Sequence, residues 1–251
     1  MHLITENNQN WSQIINSTDS DVLLQLFRAH KYKLVLTIND KYPIEWTTQM
    51  LSYLIVAPPK ICTITHKSAN IQQQVRGKLY TKLYKMILNK VDINATVAWP
   101  KHIIRDEITN FNDNMQFNDN LSLLIYALKY SNVYVMNDLI NRSDYKLGQK
   151  ISIRGQSQNT IYFFIRYMIS KDEELIKNMS DKTLYMLFIK KLFKRQNVNW
   201  NIKIPHDEKM NLLTHLYLIE VASLTRYNQT LYHFCNESIK YINPNKPDTN
   251  G

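Results

Sequence analysis

Cys62 and His66 stand four residues apart in "CTITH", and His233 and Cys235 flank one phenylalanine in "YHFCN". A thiolate within hydrogen-bond reach of an imidazole is the minimum for cysteine nucleophilic catalysis, with a third group orienting the base. No recognised signature surrounds either pair, so buried or incidental residues are expected, and a Cys-dependent enzyme is kept as an alternative. The four side chains are also right for zinc, but the roughly 170 residues between the pairs are unlike any finger spacing. The carboxylates of "DEE" at 172–174 and "HDE" at 206–208 are expected at helix starts, where acids favour the positive end of the helix dipole. Four glycines are too scattered for a phosphate-cradling loop. No catalytic residue, metal or cofactor is assigned.

The cations are a second source of chemistry. With 31 Lys+Arg against 21 Asp+Glu the net charge is +10, which favours acidic partners: nucleic acid, an anionic membrane surface or an acidic protein. The densest run, "FIKKLFKRQN" at 188–197, gathers Lys190, Lys191, Lys194 and Arg195 as anion-binding candidates. A basic helix at 76–90 is a further candidate. Tyrosines interleave with lysines in "HKYK", "KLYTKLYK" and "LKYSNVY". Such aromatics can stack bases while the cations hold phosphates. The same spacing on a helix also arises from amphipathic packing, with lysines snorkelling outward.

These residues must be positioned by a mostly helical chain. Hydrophobic residues make up 44% of 251 positions, enough for a sizeable core, while only 4 Gly and 7 Pro argue against a turn-rich β fold. A helix is expected from Asp19 or Asp21, buried through Leu23, Leu24, Leu26 and Phe27. "YKLVLTIND" fits a strand or a short helix. "YPIEWTTQMLSYLIVAPPK" predicts a helix after Pro43 that stops before Pro58. "NIQQQVRGKLYTKLYKMILNK" predicts an amphipathic helix packed through Val75, Leu79, Leu83, Tyr84, Ile87 and Leu88. Residues 99–120 read as a long polar connection carrying a short helix, and the chain from 155 onward as further helices, including the block starting at "DEKMN".

Helix ends recur in similar form. "MILNKVDINA" at 86–95 aligns without a gap to "KLFKRQNVNW" at 191–200, and Ile38-Asn39 and Ile242-Asn243 repeat the closing apolar-Asn pair. In "NDNLSLLIYALKYSNVYVMNDLI" at 118–140, Ser122 to Ala127 match a T-P-L-H-x-A pattern. Val135 or Met136, with Leu139 and Ile140, match V-x-x-x-L-L. On these residues the chain resembles the ankyrin repeat, best over 118–146 and less closely over 75–95, 183–200 and 210–251. Ser131 stands at the helix-linking glycine and Ile125 at the turn-bracing histidine, and the Asn-to-Asn spacing is irregular against a period of about 33. The resemblance implies an all-α, irregular α-solenoid of antiparallel helix pairs, with a helical region at 1–117 and the array proper at 118–251, extending past Gly251 to cover an open apolar face.

By the same resemblance the function is protein–protein interaction, through tip residues Asn118 and Asp119 and an exposed inner-helix face of Tyr126, Lys129 and Tyr130. Ser131-Asn132 should be the tight turn between helices, with Leu123, Leu124, Ala127, Val135, Leu139 and Ile140 facing neighbouring pairs. The Asn-, Lys- and Ile-rich composition suits an intracellular pathogen or large DNA virus, where ankyrin-like proteins act on host proteins. The alternative is a helical, nucleoprotein-like binder of nucleic acid. Two cysteines, no signal-like start and no long apolar run lead us to expect a soluble protein of a reducing intracellular compartment, cytoplasmic or in a host cytoplasm, without membrane insertion.

Overall fold

The computed structural model describes residue 15 and residues 21–59, 71–98, 120–153, 156–161, 163, 191–192, 203–204 and 207–211. This part is mostly helical. Six helices carry it: α1 (Asp21–Arg28), α2 (Tyr32–Lys41), α3 (Thr48–Ile55), α4 (Ile71–Leu88), α5 (Leu123–Lys129) and α6 (Val133–Asn141).

Local chemistry sets their limits. The Thr47 hydroxyl caps α3 by accepting from the Met50 N–H at 3.2 Å, and Asn132 caps α6 by accepting from Val135. The pairs α1/α2 and α5/α6 share one turn. At the first, Lys31 N–H reaches Leu26 O and His30 N–H reaches Phe27 O, both at 2.9 Å. At the second, Asn132 N–H reaches Ala127 O at 2.7 Å and Ser131 N–H reaches Leu128 O at 3.0 Å. This is the Schellman helix ending, whose pivot is left-handed. The pivots are His30 at φ 53° and Ser131 at φ 51°, neither a glycine.

Packing arranges the helices in two rows. α1 packs on α3 and α3 on α5, while α2 packs on α4. α4 meets α6 through Tyr80 and Tyr84 against Tyr134. Asn39 contacts Met86, Tyr32 contacts Tyr80, and Tyr84 bonds Asp138, so α2, α4 and α6 run parallel. One core, from Ile15 to Leu192, fills the space between the rows and crosses the expected division at 117/118.

The chain is not all-α. β1 (Val97–Ala98), β2 (Asn120–Leu121), β3 (Lys150–Ile153) and β4 (Gln156–Asn159) form a four-stranded antiparallel sheet in that order. β1 follows α4 and β2 precedes α5, so the polar connection at 99–120 leaves and returns through paired strands. β5 (Lys203–Ile204) and β6 (Asp207–Asn211) form a separate pair. Asp207 and Glu208 therefore lie in a strand, not at a helix start, and "DEKMN" is extended rather than helical. Cross-strand pairing overrides local helix propensity there.

Candidate interaction surface

Three tyrosines at the centre, Tyr32, Tyr80 and Tyr84, are fully buried. Tyr32 meets Tyr80 edge-on at 5.5 Å between ring centroids, and Tyr80 lies parallel to Tyr84 at 6.4 Å. A buried phenol needs a partner for its hydroxyl. Tyr32 donates to Ala57 O at 3.0 Å and Tyr84 donates to Asp138 Oδ2 at 3.0 Å, while the Asn132 amide donates to Tyr80 Oη at 2.7 Å. Burial first, and then the Asp138 carboxylate, push the Tyr84 phenol far above its usual range. Tyrosines interleaved with lysines in "KLYTKLYK" are thus core residues, with no ring free to stack a base.

Other polar groups hold the ends of the rows. Asn39 Oδ1 accepts from Trp46 Nε1 at 3.0 Å, bracing the turn between α2 and α3. Asn94 donates to Asp144 O at 2.9 Å and accepts from Lys146 N–H at 2.7 Å, tying the loop after α4 to the loop after α6. In each case the preceding Ile38 or Ile93 is buried. The apolar-Asn pairs at Ile38-Asn39 and Ile93-Asn94 are therefore loop braces; those at 199 and 243 lie outside the described residues. Tyr145, buried under α5, accepts from the Leu124 N–H at 3.2 Å, and burial still pushes its phenol up to about 12.

Of the inner-helix residues, Tyr126 was expected to be exposed and is not. It has no accessible surface, and its hydroxyl donates to Ala98 O at 2.9 Å and Val97 O at 3.2 Å, fastening β1 to α5. The resemblance placed it on the inner helix without saying whether that side of the helix is covered. Lys129 and Tyr130 are half-buried at the opposite end of α5 from the sheet. Asn118, Asp119, Lys190, Lys194 and Arg195 lie outside the described residues, as do Cys62, His66, His233 and Cys235; Lys191 is exposed. Among the described residues, no three His, Cys, Asp or Glu side chains converge as metal ligands, and no helix is long and apolar enough to cross a membrane.

Among the described residues, α4 carries an open surface. Its core face is Tyr80, Leu83, Tyr84, Ile87 and Leu88, one full face of the last three turns. Val75, expected in that face, is 49% exposed, Ile71 is 80% exposed, and Leu79 is only half-buried. Ile71 and Val75 share the outward side of the helix with Lys78 and Lys82, and residues 71–79 also run beyond Tyr80, which sits level with Tyr32 and Asn132 at the starts of α2 and α6. Lys78, Lys82 and Lys85 are exposed on the side away from the core, and α4 contains no acidic residue. At the α1/α2 turn, burial and then the Arg76 charge lower the His30 pKa below 6.5. His30 Nδ1 is 2.8 Å from Tyr32 Oη.

No protein-family model, curated protein or solved structure matches this chain.

Proposed function

We propose that this chain is a protein-interaction scaffold, an irregular α-solenoid of antiparallel helix pairs resembling ankyrin repeats, that binds a partner with an acidic surface. The observation that carries the reading is the arrangement of α1/α2, α3/α4 and α5/α6 as three pairs side by side, with paired strands at one end. A repeat of two helices joined through a β-turn connection has this form. Stacked pairs make extended surfaces suited to macromolecular partners. The cationic surplus sets the sign of that partner's surface. The composition-based inference of a pathogen or viral setting makes the partner a host protein.

Nucleic-acid binding is the competing reading, and it loses three of its stacking candidates because Tyr32, Tyr80 and Tyr84 are buried, leaving the half-buried Tyr130 and Tyr134. Two measurements separate the readings. Cross-linking from the purified chain should identify a protein partner, and a random single-stranded oligonucleotide should not bind at about 50 mM salt. Tight oligonucleotide binding that weakens steeply with salt, as release of phosphate counterions requires, would overturn the scaffold reading.

A further inference from the structure

The open side of α4 has a pattern that core packing does not account for. Ile71, Val75, Lys78, Lys82, Lys85 and Asn89 follow the alternating four- and three-residue spacing of a heptad seam, and all six are exposed. A seam of this period is what a second helix reads when it packs alongside. Its first two positions are apolar and the next three are lysines. At about 1.5 Å per residue it extends for about 27 Å. The neighbouring helix α2 carries exposed Lys33 and Lys41, with Lys31 exposed just before it and Asp40 the only exposed acid of the helix. No carboxylate among the described residues pairs with Lys78, Lys82 or Lys85.

We propose that this seam docks an acidic amphipathic helix of a partner protein, with apolar side chains over Ile71 and Val75 and carboxylates over Lys78, Lys82 and Lys85. The proposal rests on the scaffold reading and names the surface and the partner's chemistry. Charge complementarity selects an acidic occupant. The apolar pair selects a peptide over a phosphate backbone, because exposed aliphatic side chains gain nothing from phosphates. Exposed ion pairs are individually weak in water, so binding depends on burying Ile71 and Val75 and falls with added salt.

The test uses the full chain and a fluorescent helical peptide with leucines at two and glutamates at three consecutive seam positions, made in both sequence directions, beside a composition-matched scramble. One direction should bind about tenfold more tightly than the scramble. The Lys78→Glu, Lys82→Glu, Lys85→Glu triple variant should lose about tenfold, and should gain binding to a peptide carrying lysines in place of the glutamates. Ile71→Asp with Val75→Asp should also weaken binding. These side chains lie outside the core, so unchanged circular dichroism and melting are expected; if the reversal variant does not fold, the three Lys→Gln changes take its place, with a smaller loss expected. Equal binding of seam and scramble peptides, indifference to the lysine substitutions, or displacement by an oligonucleotide overturns the proposal. A cross-linked protein partner retained equally by the triple variant overturns the α4 docking and leaves the scaffold reading in place. Absence of any protein partner, with salt-steep oligonucleotide binding, overturns both.

Discussion

The Asn132 side chain spans three elements. Its amide donates to Ile55 O at 3.1 Å and to Tyr80 Oη at 2.7 Å, and its oxygen accepts from Val135 N–H at 3.3 Å. Asn132→Ala removes a helix cap and two buried donors, so chemical denaturation should show a loss of about 3 kcal/mol. Asn132→Asp keeps the cap but buries a carboxylate against the Ile55 carbonyl, which can only accept, and should be worse than Ala at neutral pH and recover on acidification. His30 gives a second test. Its pKa is lowered in the folded state, so the unfolded chain takes up a proton first as pH falls past 6.5. Stability is therefore full above that pH and declines below it. Groups facing His30 include Arg76 and Tyr32. His30→Asn, which tolerates a left-handed backbone and cannot titrate, should flatten the stability profile on the acid side of pH 6.5, measured by urea midpoints.

At the scale of elements, the two Schellman turns make a matched pair with different constraints. Ser131 holds φ 51° with its side chain half-exposed. Ser131→Gly should relieve left-handed strain and raise stability by up to about 1 kcal/mol. His30→Gly relieves the same strain but loses the contact with Tyr32, so it should gain less or nothing. Equal gains at the two sites in thermal melts would show that the His30–Tyr32 contact contributes nothing. The heptad seam belongs to this scale too, because it is a whole side of α4, from Ile71 to Asn89, that faces away from α2 and α6.

At the scale of the molecule, the described residues are organised around α3, which packs on α1, α4, α5 and β1. Leu51 in α3 is fully buried. Leu51→Ala should cost about 2–5 kcal/mol. Because α3 belongs to the middle pair, the loss should lower hydrogen-exchange protection in α1 and α5 together rather than in one pair alone. Protection lost only in α3 and α4 would mean that the pairs unfold independently.

Helix positions were legible because apolar period and end signals are local. Asp21 begins α1, Thr47 caps α3, and Ser131-Asn132 is the turn it was read to be, with Leu123, Leu124, Ala127, Val135, Leu139 and Ile140 all buried. Even there the sequence left the pivot open: Ser131 takes the left-handed conformation, freeing Asn132 to cap α6 and reach across the core. The short strands were not legible, since β1 and β2 are held by partners distant in sequence and two residues have no usable period. Nor was the exposure of Val75 or the burial of Tyr126. Each carries the spacing its helix demands, and spacing says that residues share a face without saying whether anything covers it. By itself the sequence determined α1, α3, α4, α5 and α6, the turn at Ser131-Asn132 and the sign of the net charge, and it left α2 open between strand and helix. The tertiary structure alone decided which faces are covered, because burial depends on how far neighbouring helices extend.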